Sequence, residues 1–163
     1  MGEIGSKRVV ITYGKPMPSV FAKLNLKEQT QIVVLDSPDS FERELAALKG
    51  VEIVRDLKRA KRVSFSLAFV TTQEQVDSLA LAIGGIAEGD AIVWVAYPKG
   101  SSKKYKSEIN RDRGWDKLGR AGFEPVRMVA IDEDWSAVRF RRVEFIKKMT
   151  RSKEHRLTER VKK

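Results

Sequence analysis

The chain has 163 residues, the length of one ordinary domain, and 42% of them are apolar, enough to build a buried core without covalent staples. It contains no Cys and a single His, His155, which excludes disulfides, thiolate zinc sites, iron–sulfur clusters, thiol nucleophiles and an imidazole metal cluster. Its 32 Lys and Arg outnumber 22 Asp and Glu, giving a net charge of +10, so the search for partners starts with anions.

Residues 1–30 form an opening segment of weak periodicity. Val9–Tyr13 suits a short strand, residues 14–18 (Gly-Lys-Pro-Met-Pro) a turn, and Ser19–Leu26 a short helix that turns Val20, Phe21 and Leu24 inward. No apolar run ending in small residues stands in this segment. The longest nearly uncharged stretch, Leu79–Ile86, is far shorter than the ~20 residues of a membrane helix. A soluble, cytoplasmic protein with no membrane association is expected.

Gln31–Leu35 is a continuous apolar run and predicts a strand buried on both faces. Ser37 as N-cap and Pro38 as first helical residue then predict a helix carrying Phe41, Leu45 and Leu48, closed by Gly50. Val51–Val54 suits a short strand, residues 55–62 a charged connector, and Ser64–Val70 a third strand. Thr71 and Thr72 cap a helix running to about Ala87, with Val76, Leu79, Ile83 and Ile86 on one face and Gly84-Gly85 weakening its last turn. Ala91–Ala96 is another buried-type strand, and Tyr97–Asn110 a basic loop. A helix is predicted over Arg111–Ala121 with Trp115 and Leu118 inward and Gly122 as its stop. Val126–Ile131 and Ala137–Val143 are strands whose four-residue link, 132–135, is too short for a crossover helix, so they pair antiparallel.

Strands alternating with helices predict a Rossmann-like three-layer α/β sandwich. Its sheet is mainly parallel, with a C-terminal antiparallel hairpin on one edge. We expect one α/β domain over 1–146, its core in 31–144, followed by a basic tail at 147–163.

Charge is concentrated in three places: +6 over residues 147–163, +4 over 99–113 and +4 over 55–62. In an open α/β sheet, ligands gather at the carboxyl ends of the strands. Three loops are expected to meet there: Asp36-Ser37-Pro38, Thr71-Thr72 and Tyr97 to Lys103. In the third, Gly100 lets backbone amides turn toward an anion, Ser101 and Ser102 donate hydroxyls, and Lys99 and Lys103 supply charge. Neither G-x-G-x-x-G nor Gly-Lys-Ser/Thr is present, so a conventional NAD or ATP site is not expected. A Ser–His–acid triad would have to recruit His155 from the tail. Asp132, Glu133 and Asp134 either hold a hard cation or form a turn. Asp36 either acts as an acid, base or ribose ligand or opens an Asx-type turn. Trp135 either edges a pocket or covers the sheet's end.

The stretch Trp94-Val-Ala-Tyr-Pro-Lys-Gly-Ser-Ser-Lys103, then Ile109-Asn-Arg-Asp112, Trp115, Pro125-Val126, Val129-Ala-Ile-Asp132 and Trp135-Ser-Ala-Val-Arg-Phe140, resembles a family of small bacterial proteins catalogued as a domain of unknown function. The match covers about residues 91–142 and, more loosely, 18–90; residues 1–17 and the tail look like additions. The resemblance implies a stripped-down nucleotide- or methyltransferase-type Rossmann domain ending in an antiparallel hairpin. It also selects Lys99 to Lys103, Asn110, Arg111, Asp112 and Arg139 as site residues.

Three functions follow as expectations. The first is a binding module that recognises an anionic or nucleotide-like small ligand at the strand carboxyl ends. Asp36, Ser37, Thr71, Tyr97, Lys99, Gly100, Ser101, Ser102, Lys103, Asn110, Arg111, Asp112 and Arg139 are its candidate residues, with no cofactor specified. The second is nucleic-acid association through the basic tail and the 55–62 connector. The third is a divergent methyltransferase-like enzyme.

Overall fold

The computed structural model describes residues 19–146 and Leu157. The strand and turn expected within 9–18, His155 and the other tail residues lie outside the described residues. Helix α1, Ser19–Lys23, is short and ends where Asn25 takes a left-handed conformation, φ 63°. The apolar run 31–35 forms β1, Gln31–Leu35. Helix α2 (Asp39–Ala46) and β2 (Glu52–Val54) follow, and a 3-10 turn over Leu57–Arg59 leads into β3, Val63–Phe69. Helix α3, Gln73–Ile86, starts with a capping box: Thr72 accepts from the Gln75 amide while the Gln75 side chain reaches back to the Thr72 amide. Strand β4, Ala87–Pro98, is buried from Ala91 to Pro98. Helix α4 (Asp116–Arg120), β5 (Phe123–Ala130) and β6 (Trp135–Arg142) complete the chain order.

The strands form one sheet in the order β2-β1-β3-β4-β6-β5. The first four pair parallel, whereas β6 runs antiparallel to both β4 and β5. This is the three-layer Rossmann-like sandwich expected from the sequence, with the hairpin on one edge. Val76, Leu79 and Ile83 of α3 and Leu118 of α4 cover one face, over Val93, Val95 and Phe140. Phe21 and Leu24 of α1 and Phe41 and Leu45 of α2 cover the other, over Phe65, Phe69 and Trp94. The buried Trp94 indole donates to the Leu24 carbonyl at 2.8 Å, fixing α1 to the sheet. The chain leaves β1 for β2 on one side and returns to β3 on the other, so the sheet's switch point lies between β1 and β3. Among the described residues, no helix is long and apolar enough to cross a membrane.

The structure corrects four local expectations. Ser37 does not cap α2; Pro38 holds the N-cap position, and the Ser37 hydroxyl donates instead to Glu42 at 2.5 Å. The helix expected from Arg111 begins at Asp116. Residues 110–113 form a closed turn, in which the Asn110 side-chain oxygen accepts from the Asp112 amide (2.8 Å), and Gly114 follows at φ 108°. Both features are incompatible with an α-helix. Strand β4 runs from four residues before Ala91 to two beyond Ala96. Leu157, in the 147–163 segment expected as a basic tail, is 2% exposed and packs in the α3–α4 core, its amide donating to the buried Glu124 at 2.7 Å.

The close approach of Leu157 explains a glycine. A Cβ on Gly119 would meet the Leu157 Cγ at 2.5 Å and its carbonyl at 3.1 Å, whereas one on Gly85, inside α3, would meet nothing within 4 Å. Thermal unfolding should show Gly119→Ala destabilised by about 1–3 kcal/mol through overpacking. Gly85→Ala should be stabilised by up to about 1 kcal/mol through helix propensity.

Candidate ligand recess

The carboxyl ends of the parallel strands carry two separate polar constructions. The first closes the loop after β1. Asp36 turns the chain at φ 56° and is exposed, and Pro38 offers no amide hydrogen. Arg55, just past β2, donates two 2.9 Å hydrogen bonds to the Glu42 carboxylate, which also takes the Ser37 hydroxyl. The Arg55 hydrogen bonds, and then that of Ser37, bring the Glu42 pKa from 4.5 down to about 2. The Ser37 hydroxyl, the Glu42 carboxylate and the Arg55 guanidinium are thus engaged with one another at this strand end.

The second construction is a recess of about 660 Å³ at the end of β4. It is lined by Tyr97 to Gly100, Ser102, Tyr105 and the segment from Lys106 to Asn110, with Arg113 at its rim. Its shape comes from the way the loop is pinned. The Lys99 amide donates to the Asp134 carbonyl (2.8 Å), and the Ser102 hydroxyl donates to the Asp134 carboxylate (2.8 Å). The Ser102 amide closes a turn on the Lys99 carbonyl at 3.0 Å, and the Tyr105 amide donates to the Ser102 oxygen at 3.1 Å. Further on, the Ser107 side chain bridges the carbonyl and amide of Ile109, and buried Ile109 and Trp115 hold that limb on the core. Lys99, Lys106 and Arg113 line the space against one carboxylate, Glu108.

Glu108 is already committed. Its Oε1 accepts from the Gln73 amide at 2.8 Å, at the amino end of α3, and its own amide donates to the Thr71 carbonyl at 2.9 Å. The protein thus supplies its own anion to that helix end, which ties the β3–α3 turn to the recess. Buried Tyr97 forms part of the floor; its hydroxyl donates to the Met128 sulfur (3.7 Å), and burial raises its pKa.

Of the candidate residues, Tyr97, Lys99, Gly100, Ser102 and Asn110 line the recess, and Thr71 borders it through Glu108. Ser101, Lys103, Arg111 and Asp112 are exposed outside its lining. Asp36 and Ser37 stand at the end of β1, two strands from β4, about 10 Å away at ordinary strand spacing. Arg139 lies mid-sheet, paired with Trp94. Pro98, Tyr105, Lys106, Ser107, Glu108, Ile109 and Arg113 complete the lining; the +4 charge over 99–113 is the sequence signal that covers all of these but Pro98. Asp132 and Asp134 are turn residues: the Asp132 carboxylate accepts the Asp134 and Trp135 amides. Trp135 is buried and covers the sheet's end, against Phe69 and Tyr105.

No family model matches the chain, and no curated protein matches it. Solved structures do. A SAM-dependent methyltransferase from Aquifex aeolicus superposes with a TM-score of 0.51 at 15% identity, over 77% of this chain and 88% of that one. A possible exported protein from Bordetella parapertussis gives 0.53 at 11% identity, over 76% and 65%. The fold is therefore similar to the Rossmann-like fold of a SAM-dependent methyltransferase.

Glu42 makes acid stability a test of the first construction. Its folded pKa lies below its ordinary value, so the contribution of the Arg55 pair is present above pH 4.5 and is lost as pH falls toward 2. Both side chains are more than two-fifths exposed, which limits the pair to about 1 kcal/mol. Glu42→Gln should lower stability by up to about 1 kcal/mol at pH 7–8, flatten the profile between pH 4.5 and 2 and converge on the parent at the acid end, read by denaturant unfolding.

Proposed function

We propose that this protein is a binding module on a methyltransferase-like fold, and that its ligand is a small anionic, nucleotide-like molecule held in the recess at the end of β4. The observation that carries this reading is the charge of the recess, where Lys99, Lys106 and Arg113 face a single carboxylate that is already bonded to the α3 amino end. Phosphate oxygens would meet the lysines at the mouth, and the aromatic and aliphatic wall of Tyr105 and Ile109 would receive an apolar or ring portion. Lysine suits this role because its ammonium is a compact charge on a flexible stem that can follow a ligand.

A second reading, S-adenosylmethionine-dependent methyl transfer, is favoured by the fold likeness to the Aquifex aeolicus structure. Two features count against it. The loop after β1 is occupied by the Ser37–Glu42–Arg55 network and contains Pro38. S-adenosylmethionine carries a sulfonium and an ammonium against one carboxylate, so a basic recess repels it.

Calorimetric titration with adenosine monophosphate, inorganic phosphate and S-adenosylmethionine tests both readings at matched ionic strength. Adenosine monophosphate should bind with one-to-one saturation, and Lys99→Ala and Lys106→Ala should each weaken it by roughly tenfold, the scale of a charge-assisted hydrogen bond. Binding of S-adenosylmethionine alone would replace the first reading with the second.

Glu108 gives an opposite sign. Glu108→Gln keeps an acceptor for the Gln73 amide and removes the carboxylate from the recess, so anion affinity should rise, by up to about fivefold. A fall in affinity would mean that Glu108 contacts the ligand directly.

A further inference from the structure

Arg139, placed outside the recess, belongs to a different arrangement. It stands on β6 directly opposite Arg127 of β5, and Arg141 follows two residues along the same face of β6. Arg141 is neutralised, its guanidinium donating to both Asp90 oxygens at 2.8 and 2.6 Å. Glu124, opposite Arg141, is buried and bonded to the Leu157 amide. Among the described residues neither Arg127 nor Arg139 makes an ion pair, Asp90 being committed to Arg141, and the Arg139 Nε is buried with no hydrogen-bond partner. Burial, then the charge of Arg141 and to a lesser extent that of Arg127, outweigh the opposing charge of Asp90 and hold the Arg139 pKa below that of an ordinary guanidinium. Like charges directly opposite on paired strands repel, and a buried donor without a partner costs more than an exposed one. The fold carries both penalties at one spot.

We propose that Arg127 and Arg139 form a phosphate-binding clamp on the β5–β6 sheet face, separate from the recess at the end of β4. Opposed Cβ atoms on antiparallel strands lie about 5 Å apart, so two guanidinium forks reach one tetrahedral oxyanion. Each fork matches two phosphate oxygens, and the ligand would supply both the missing acceptor for the Arg139 Nε and the missing counterion. Asp90 holds Arg141 beside the pair, so Arg141 borders the site without closing it. A small phosphorylated molecule and a nucleic-acid backbone both present this phosphate; the clamp reads only the shared chemistry.

The test uses the full chain carrying Lys99→Ala and Lys106→Ala, so that the recess does not contribute, and titrates inorganic phosphate against chloride at constant ionic strength. Phosphate should bind saturably, and adding Arg127→Ala or Arg139→Gln should weaken it at least tenfold. Arg127 is exposed, and Arg127→Ala removes repulsion, so its melting temperature without phosphate should stay level or rise while its phosphate-dependent rise disappears. A short single-stranded oligonucleotide that competes with phosphate in the parent but not in Arg127→Ala assigns the source to nucleic acid; phosphate binding without competition assigns it to a small molecule. Phosphate affinity unchanged by Arg127→Ala, or a lowered melting temperature in its absence, overturns the clamp.

Discussion

The contact between Ser102 and Asp134 joins two parts of the chain that are 32 residues apart and gives the site its shape. Asp134 belongs to the turn between β5 and β6, and it grips the loop after β4 twice, through its carbonyl to the Lys99 amide and through its carboxylate to the Ser102 hydroxyl. This contact is possible because β6 inserts beside β4 and runs antiparallel to it, so that Pro98 faces Trp135 at the same end of the sheet. With the loop fixed on that side, the segment 105–110 arches over the end of β4 and returns to the core through Ile109. The concavity therefore follows from sheet order as well as from loop composition.

The polar groups at this end of the sheet divide into satisfied and available sets. Around β1 and β2, Ser37, Glu42 and Arg55 satisfy one another, and at the amino end of α3 the Thr72–Gln75 box and Glu108 supply the acceptors that a bound anion would otherwise provide. The two places where Rossmann-like sheets commonly receive phosphate are thus occupied by the protein's own side chains. Among the described residues, Lys99 and Lys106 of the recess make no ion pair. On the proposed reading, this Rossmann-like fold takes its ligand away from the switch point, toward β4.

Much of the fold was legible because its signals are local. The run Gln31–Leu35 reads as a strand buried on both faces, and it forms β1 with Ile32 to Val34 buried. Thr72 precedes an apolar periodicity at helical spacing, and it caps α3. The four-residue link before Ala137 forces an antiparallel pair, and the structure shows that pair at one edge. The misses come from longer range. Nothing near Ser37 indicates that Arg55 will arrive at the end of β2 and, with Glu42, draw its hydroxyl away from the cap. The Asn110 turn defeats a helix because a side-chain oxygen competes for the Asp112 amide. Leu157 is one of three apolar residues in the basic 147–163 tail, and its burial depends on the small size of Gly119 on another element. The recess shows the same pattern: the basic Gly/Ser loop lines it, but which lysines face inward depends on the turn at Lys99–Ser102 and its Asp134 anchor.

The central claim is that an anionic nucleotide docks at the end of β4 and not at the β1 switch. Amide chemical-shift mapping by nuclear magnetic resonance during titration with adenosine monophosphate tests it most directly. The account predicts saturable shifts confined to residues 98–113 and the adjoining Thr71–Gln73 turn, with Asp36–Glu42 unmoved. Shifts centred on Asp36–Glu42, or spread evenly over the basic surface with no saturation, would contradict it.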